Sequence, residues 1–251
     1  MENEIKLGEK AIAILKGISN IYQGVIIKDD YLYTKFENTL ETSGKKGSED
    51  IIVNYDLPAG EVQIPQEFGL DDINEFLSVM KSFGDDLSVT LEGTAIVMKD
   101  KRKQVQYFTR TTESLPSKNP AGDQLFNSEP NDKVLFTLLE SEKEQIIKDL
   151  NILKADKIVL SCEGGVIHLK ASNKITGNET KIKLSKENTH TCVDGFDFEL
   201  PNPSILSLII PGEVYEIQIK EVQYNGNGIK IMKLYNKTLE DGSLSYTMIA
   251  T

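Results

Sequence analysis

The four cysteines and histidines of this 251-residue chain, Cys162, His168, His190 and Cys192, invite a metal reading. Thiolate and imidazole donors suit zinc, but zinc sites draw on close, regular pairs such as two cysteines two residues apart. The sequence has none. Cys162 and His168 fall on the two arms of an expected hairpin, and His190 and Cys192 open a later strand. They read as ordinary strand residues, and no metal is expected. Ser-His-Asp catalysis needs a serine on a strained elbow, and no Gly-x-Ser-x-Gly occurs. Ser43-Gly44-Lys45-Lys46 resembles the tail of a phosphate loop, but the glycine required five places before Gly44 is Thr39. It reads as a flexible basic loop. Asp71-Asp72 and Asp85-Asp86 would support acid–base work only if they converged in space. The first pair opens a helix and the second follows its end, where dipole and turn chemistry account for them. No catalytic residue and no cofactor is expected.

The composition points the same way. With 39% hydrophobic residues the chain can bury a core, and no apolar run is long enough for a membrane helix. MENEIKLGEK lacks the basic and apolar regions of a secretory signal. Two cysteines fit a reducing cytoplasm. A net charge of −11 is the wrong sign for a simple basic DNA-binding protein, so any positive surface must be local.

The elements that would position these residues come twice. Residues 9–36 run as a helix-like stretch, an apolar run, a tight turn at Asp29-Asp30 and a second apolar run. Residues 141–171 repeat that order about 132 positions later, turning at Gly164-Gly165. In the first half, Ala11, Ile14, Leu15 and Ile18 recur at helical spacing over Glu9–Ser19, with Lys10 and Lys16 on the other side. Leu70–Phe83 is a second helix, and Thr39–Ser48 a polar loop. Strands follow at 87–91, 94–99 and 104–109. In the second half, Ser141–Asn151 is a helix capped by Ser141 with Glu144 three places on. Val193–Leu200 is a strand and Ser204–Ile210 a short apolar helix, before three closing strands. Residues 112–131, with three prolines, form a linker between domains 1–111 and 132–251. Each half thus has two helices and about eight strands, an α+β arrangement with the helices on one face.

Several stretches carry a resemblance in order: KLGEKAIAILKGISNIYQGVIIKDDYLYT (6–34), FGLDDINEFLSVMKSFGDDLSVT (68–90), PSKNPA (116–121), LLESEKEQIIKDLNILKADKIVLSCEGGVI (138–167) and FDFELPNPSILSLIIPGEVYEIQI (196–219). Together they resemble the DNA polymerase sliding clamps of T-even-type tailed bacteriophages, within the wider clamp family that includes proliferating cell nuclear antigen. The resemblance implies a duplicated clamp fold of two similar domains, each with two helices on curved antiparallel sheets. Three subunits would close head to tail into a ring around duplex DNA, in the cytoplasm of the phage's bacterial host. It implies no catalysis. The partners would be duplex DNA without sequence specificity, a DNA polymerase, a clamp-loader ATPase and, as for some phage clamps, the transcription machinery.

The resemblance also assigns residues. Lys10, Lys16, Lys81, Lys143 and Lys148 would face DNA, helped by Lys45-Lys46 and Lys101-Arg102-Lys103, although Asp71 and Glu75 on the second helix oppose phosphate. Leu115, Leu125, Phe126, Pro211, Met248 and Ile249 would border a partner-peptide pocket, or else pin linker and tail to the sheet. The strand of Gln104, Tyr107 and Arg110 would meet that of Glu179, Lys181 and Lys183 in the next subunit, with Arg110 facing Glu179. Two rival readings differ in class: a phage structural or assembly protein with duplicated β-rich domains, and a metal-dependent hydrolase using the clustered acids.

Overall fold

The computed structural model describes residues 3–42, 45–84, 86–112, 121–200, 206, 213–224, 226–237 and 244–250. Contacts divide the chain into two compact units. The first comprises 1–36, 52–118 and 241–244; the second comprises 37–51, 119–240 and 245–251.

The first unit contains β1 (Lys6–Leu7), α1 (Glu9–Ser19), β2 (Val25–Lys28) and the base of a long hairpin, β3 (Tyr31–Thr42) and β4 (Lys45–Asp56). It continues through β5 (Val62–Gln63), β6 (Phe68–Leu70), α2 (Ile73–Lys81), β7 (Ser88–Glu92), β8 (Ala95–Lys99) and β9 (Gln104–Phe108). β2 pairs with both β3 and β6, β1 with β5, and β8 lies between β7 and β9, all antiparallel.

α1 forms where the apolar spacing places it, and Ala11, Ile14, Leu15 and Ile18 are fully buried. Its N-cap, Gly8, has no side chain to offer. Glu61 substitutes: its carbonyl accepts from Gly8 N at 2.7 Å and its carboxylate from Ala11 N at 3.4 Å. That loop is held in turn by Asp30, in the left-handed region at φ 50°. The Asp30 carboxylate accepts from Gly60 N at 3.0 Å and Val62 N at 3.1 Å. α2 is shorter than the expected 70–83. Phe68–Leu70 is held as strand by β2, and Asp72 caps the helix by accepting from Glu75 N at 2.9 Å.

The second unit contains α3 (Ala121–Ser128), β10 (Val134–Leu138), α4 (Glu140–Leu153), β11 (Lys157–Glu163), β12 (Val166–Ser172), β13 (Glu179–Lys183), β14 (Thr189–Cys192), β15 (Asp197–Leu200), β16 (Tyr215–Tyr224), β17 (Asn227–Asn236) and most of β18 (Leu244–Ala250). One sheet runs β13-β12-β11-β15, and a second includes β14-β10-β16-β17-β18. Phe136, Ile158, Leu160, Phe198, Tyr215 and Ile217 are buried in its core.

Five expectations are corrected. Residues 39–42 and 45–48 are strand, not loop. Ladder pairing uses the backbone, which every non-proline residue supplies, and this stretch has no proline. Residues 121–128, expected as linker, are helix α3. Ser141 does not cap α4: the helix starts at Glu140, and Glu142 reaches back to accept from Leu139 N at 3.2 Å. That is half of a capping box, since Leu139 has no side-chain acceptor. Residues 193–196 interrupt the expected strand with a turn, Gly195 standing at φ 76°. α4 also buries a residue expected at the surface, Lys143. Lys143 and Ile146 are buried, while Ile147 and Leu150 are only half-buried. Of the expected helix at 204–210, only Leu206 lies among the described residues; it is buried.

Candidate nucleic-acid and subunit interface

Three of the five lysines expected to face DNA are exposed: Lys16 on α1, Lys81 in the last turn of α2 and Lys148 on α4. Lys10 is half-buried. Lys143 is the correction. Its side chain is 6% exposed with Nζ 3.6 Å from Glu140 Oε1, so it serves the packing of α4 and not a charged surface. Lys148 has Glu144, also exposed, one turn before it. The outer face of α4 is therefore mixed in charge.

A basic group that the sequence left open gathers at the C-terminal end of α2. The β8–β9 turn folds because the Asp100 carboxylate accepts from Arg102 N at 2.7 Å and Lys103 N at 2.8 Å. These bonds hold Asp100 below its ordinary pKa. Lys103 then donates to Ser82 O at 2.7 Å and Ser82 Oγ at 2.6 Å, with its ammonium 4.0 Å from the Phe83 ring. A cation on the last carbonyls of a helix complements its dipole. The turn that carries exposed Lys101 and Arg102 is thereby pinned beside Lys81, with Lys101 paired to Asp86.

Among the described residues both expected contact strands lie at the ends of their sheets: β9 beside β8 alone, and β13 beside β12 alone. Such strands present unpaired backbone donors and acceptors, a template for another chain. On β9, Gln104 is exposed, and Phe108 is 69% exposed although aromatic. Phe108 escaped the sequence reading because its neighbour Tyr107 looks equivalent. Tyr107 is buried instead, edge-on to Phe76 at 5.6 Å, with its hydroxyl donating to Asp72 O at 3.1 Å. Burial pushes its pKa up. Tyr107 thus belongs to the core of its own unit. Arg110 exchanges backbone hydrogen bonds with Gly69 and pairs through Nε with Asp71 of the same chain. On β13, Glu179 pairs with Lys170 at 2.7 Å and Lys181 with Glu163 at 2.8 Å, and Lys183 is exposed. The Lys181 ammonium holds the Glu163 carboxyl below its usual range.

The residues expected around a peptide pocket divide. Leu115 and Pro211 lie outside the described residues. Met248 and Ile249 are on β18, their backbones opposite Met232 and Ile231 of β17. Phe126 is a core side chain: 1% exposed, it packs with Val222, Ile229 and Ile231, and half-buried Leu125 packs against the same cluster. The ammonium groups of Lys220 and Lys233 stand 4.4 and 4.6 Å from its ring. Lys220 also donates to Glu129 O at 2.7 Å, just beyond the end of α3. Phe126 is thus occupied in docking α3, and its ring is covered.

Among the described residues no three His, Cys, Asp or Glu side chains gather where a metal could be held. His190 Nε2 lies 3.2 Å from the Thr137 hydroxyl, and His168 Nε2 lies 4.0 Å from Glu163. Among the described residues no helix is long and apolar enough to cross a membrane.

Comparison with solved structures decides the architecture. A PCNA2–PCNA3 complex from Sulfolobus tokodaii matches with a TM-score of 0.60 at 14% identity, over 99% of this chain and 98% of that one. PCNA from Thermococcus kodakaraensis matches with a TM-score of 0.58 at 11% identity, over 99% and 98%. This is the sliding-clamp fold. A. fulgidus PCNA, in a structure with the C-terminal region of FEN-1 bound, matches with a TM-score of 0.58 at 10% identity, over 99% of this chain and 97% of that one. The clamp fold here is α+β, two units of antiparallel sheets and helices, and it accounts for the repeated order read in the sequence. Neither a family model nor a curated protein matches the sequence.

Proposed function

We propose that this chain is a sliding clamp that closes with further copies into a ring, encircles duplex DNA and tethers a DNA polymerase, without catalysis of its own. The observation that carries this reading is the clamp fold spanning 99% of the chain together with an open sheet edge in each unit, β9 in the first and β13 in the second. Two different edges on one chain make a head-to-tail contact, and repeated head-to-tail contacts close a ring when the rotation fits. With two units per chain, three copies make a six-unit ring. Phe108 on β9 provides the apolar part of the contact and the backbone of β13 the hydrogen bonds.

Such a ring holds DNA by topology and needs no base readout. Loose phosphate contacts by Lys16, Lys81, Lys101, Arg102 and Lys148 suffice, while the overall charge of −11 keeps DNA off the remaining surface. A clamp-loader ATPase and polymerase peptides are the expected partners, in the cytoplasm of a phage-infected bacterium.

The test is solution mass by light scattering across a concentration series, followed by retention on nicked circular DNA. The reading expects a species near three times the 28.0 kDa chain, retained on circles and lost from linear DNA. A 28.0 kDa species at every concentration overturns the self-closed ring and favours the assembly-protein or hydrolase reading.

A further inference from the structure

We propose that Cys162 and Cys192, the only two cysteines of the chain, are a redox modification site: an oxidant joins them in one intramolecular disulfide that staples β11 to the end of β14. The placement comes from backbone geometry. Cys162 is 1% exposed, on the core face of β11 with Ile158 and Leu160. Cys192 is the last residue of β14, opposite Val134 of β10 and therefore in the other sheet. The chain then turns at once. Phe196 N donates to Val193 O at 3.1 Å, Cys162 N donates to Phe196 O at 2.8 Å, and Gly195 N donates to Cys162 O at 3.0 Å.

The turn after Cys192 is therefore bonded to both backbone groups of Cys162. Two further bonds fix it: Val193 N donates to Lys133 O at 2.9 Å, and Gly164 N donates to Asp194 Oδ1 at 2.6 Å. Burial, with Cys192 as a neighbouring group, pushes the Cys162 pKa far above its ordinary value.

The two thiols play different parts. Cys162 is buried and stays protonated, so it is inert by itself. Cys192 is half-exposed and is the entry point. With a low-molecular-weight disulfide such as oxidised glutathione, the Cys192 thiolate attacks one sulfur and expels one glutathione thiolate. Cys162 then gives up its proton, attacks the Cys192 sulfur and expels the second. The protein loses two protons and two electrons, and the glutathione disulfide is reduced to two thiols. A reducing cytoplasm leaves the pair open, and a rise in disulfide oxidant closes it. Closure links a loop of about 30 residues, which restricts the unfolded chain most.

The full chain is incubated with oxidised glutathione at mildly alkaline pH, and intact mass and free thiols are measured. The expected product is one chain lighter by about 2 Da with no retained glutathione. Its two titratable thiols fall to none, dithiothreitol restores them, and the urea midpoint rises. Cys162→Ser is expected to stop at a stable mixed disulfide on Cys192, and Cys192→Ser to remain unmodified while folded. Persistent glutathione on wild-type Cys192, cross-links between chains, or two thiols left after prolonged treatment would each overturn the proposal.

Discussion

Phe126→Ala separates a docking residue from a partner contact. The ring is 1% exposed against Val222, Ile229 and Ile231, so its removal leaves a hole lined by side chains fixed in β16 and β17. Phe→Ala at such a site costs about 3–5 kcal/mol. Part of that cost is the two ammonium–ring contacts at 4.4 and 4.6 Å, each worth about 0.5–1 kcal/mol. α3 is only 8 residues long, and helices shorter than about 12 residues are marginal alone, so without its anchor α3 leaves the sheet. With a urea slope of about 1–3 kcal/mol per M, the midpoint of the second unit falls by about 1–5 M. The assays are urea unfolding followed by circular dichroism, and hydrogen exchange of peptides covering 121–128. The variant should lose protection across α3 while α1 and α2 keep theirs. An unmoved midpoint with α3 still protected would refute the reasoning and return Phe126 to the role of an exposed peptide contact.

Asp72→Ala removes the side-chain N-cap of α2 and should destabilise the first unit by about 1 kcal/mol in urea unfolding, whereas Asp71→Ala should cost less. Phe108→Asp places a charge on the β9 edge and should raise the concentration needed for self-association at least tenfold in light scattering, with unchanged circular dichroism. An unchanged association curve would remove Phe108 from the interface. Asp132 carries a pH signature. Burial raises its carboxyl pKa against the pull of Lys220, so the folded chain holds the proton more tightly than the unfolded one. Its contribution to stability therefore declines as pH climbs from about 3.9 through the folded value, and is level above that. Asp132→Asn should gain on wild type across that window alone, and a stability difference independent of pH would count against the burial.

The helices α1 and α2 were legible because each buries one apolar stripe, and a stripe repeats every three or four residues whatever the stripe packs against. The same holds for the hairpins, where Gly164 and Gly165 take positive φ between two alternating strands. α3 was not legible. Its residues are mostly small or polar and lie between Pro120 and Pro130, a loop composition, and the apolar cluster on β16 and β17 makes Phe126 an anchor. The turn at 193–196 was hidden for a related reason, because its hydrogen bonds go to Cys162 and Lys133, far away in the chain.

The candidate site divides along the same line. Sequence alone determined the doubled order of elements and the acidic net charge, since composition and local periodicity need no partner. Only tertiary structure decided which side chains remain at the surface. Tyr107 turned inward and Phe108 outward because adjacent strand residues point to opposite faces, and the choice of face rests on Phe76 and Asp72 of α2. Lys143 went into the packing while Lys148 stayed out, because α4 turned its 143–146 face inward. A local pattern can say that a residue lies on one face or another; what covers that face belongs to residues distant in the sequence.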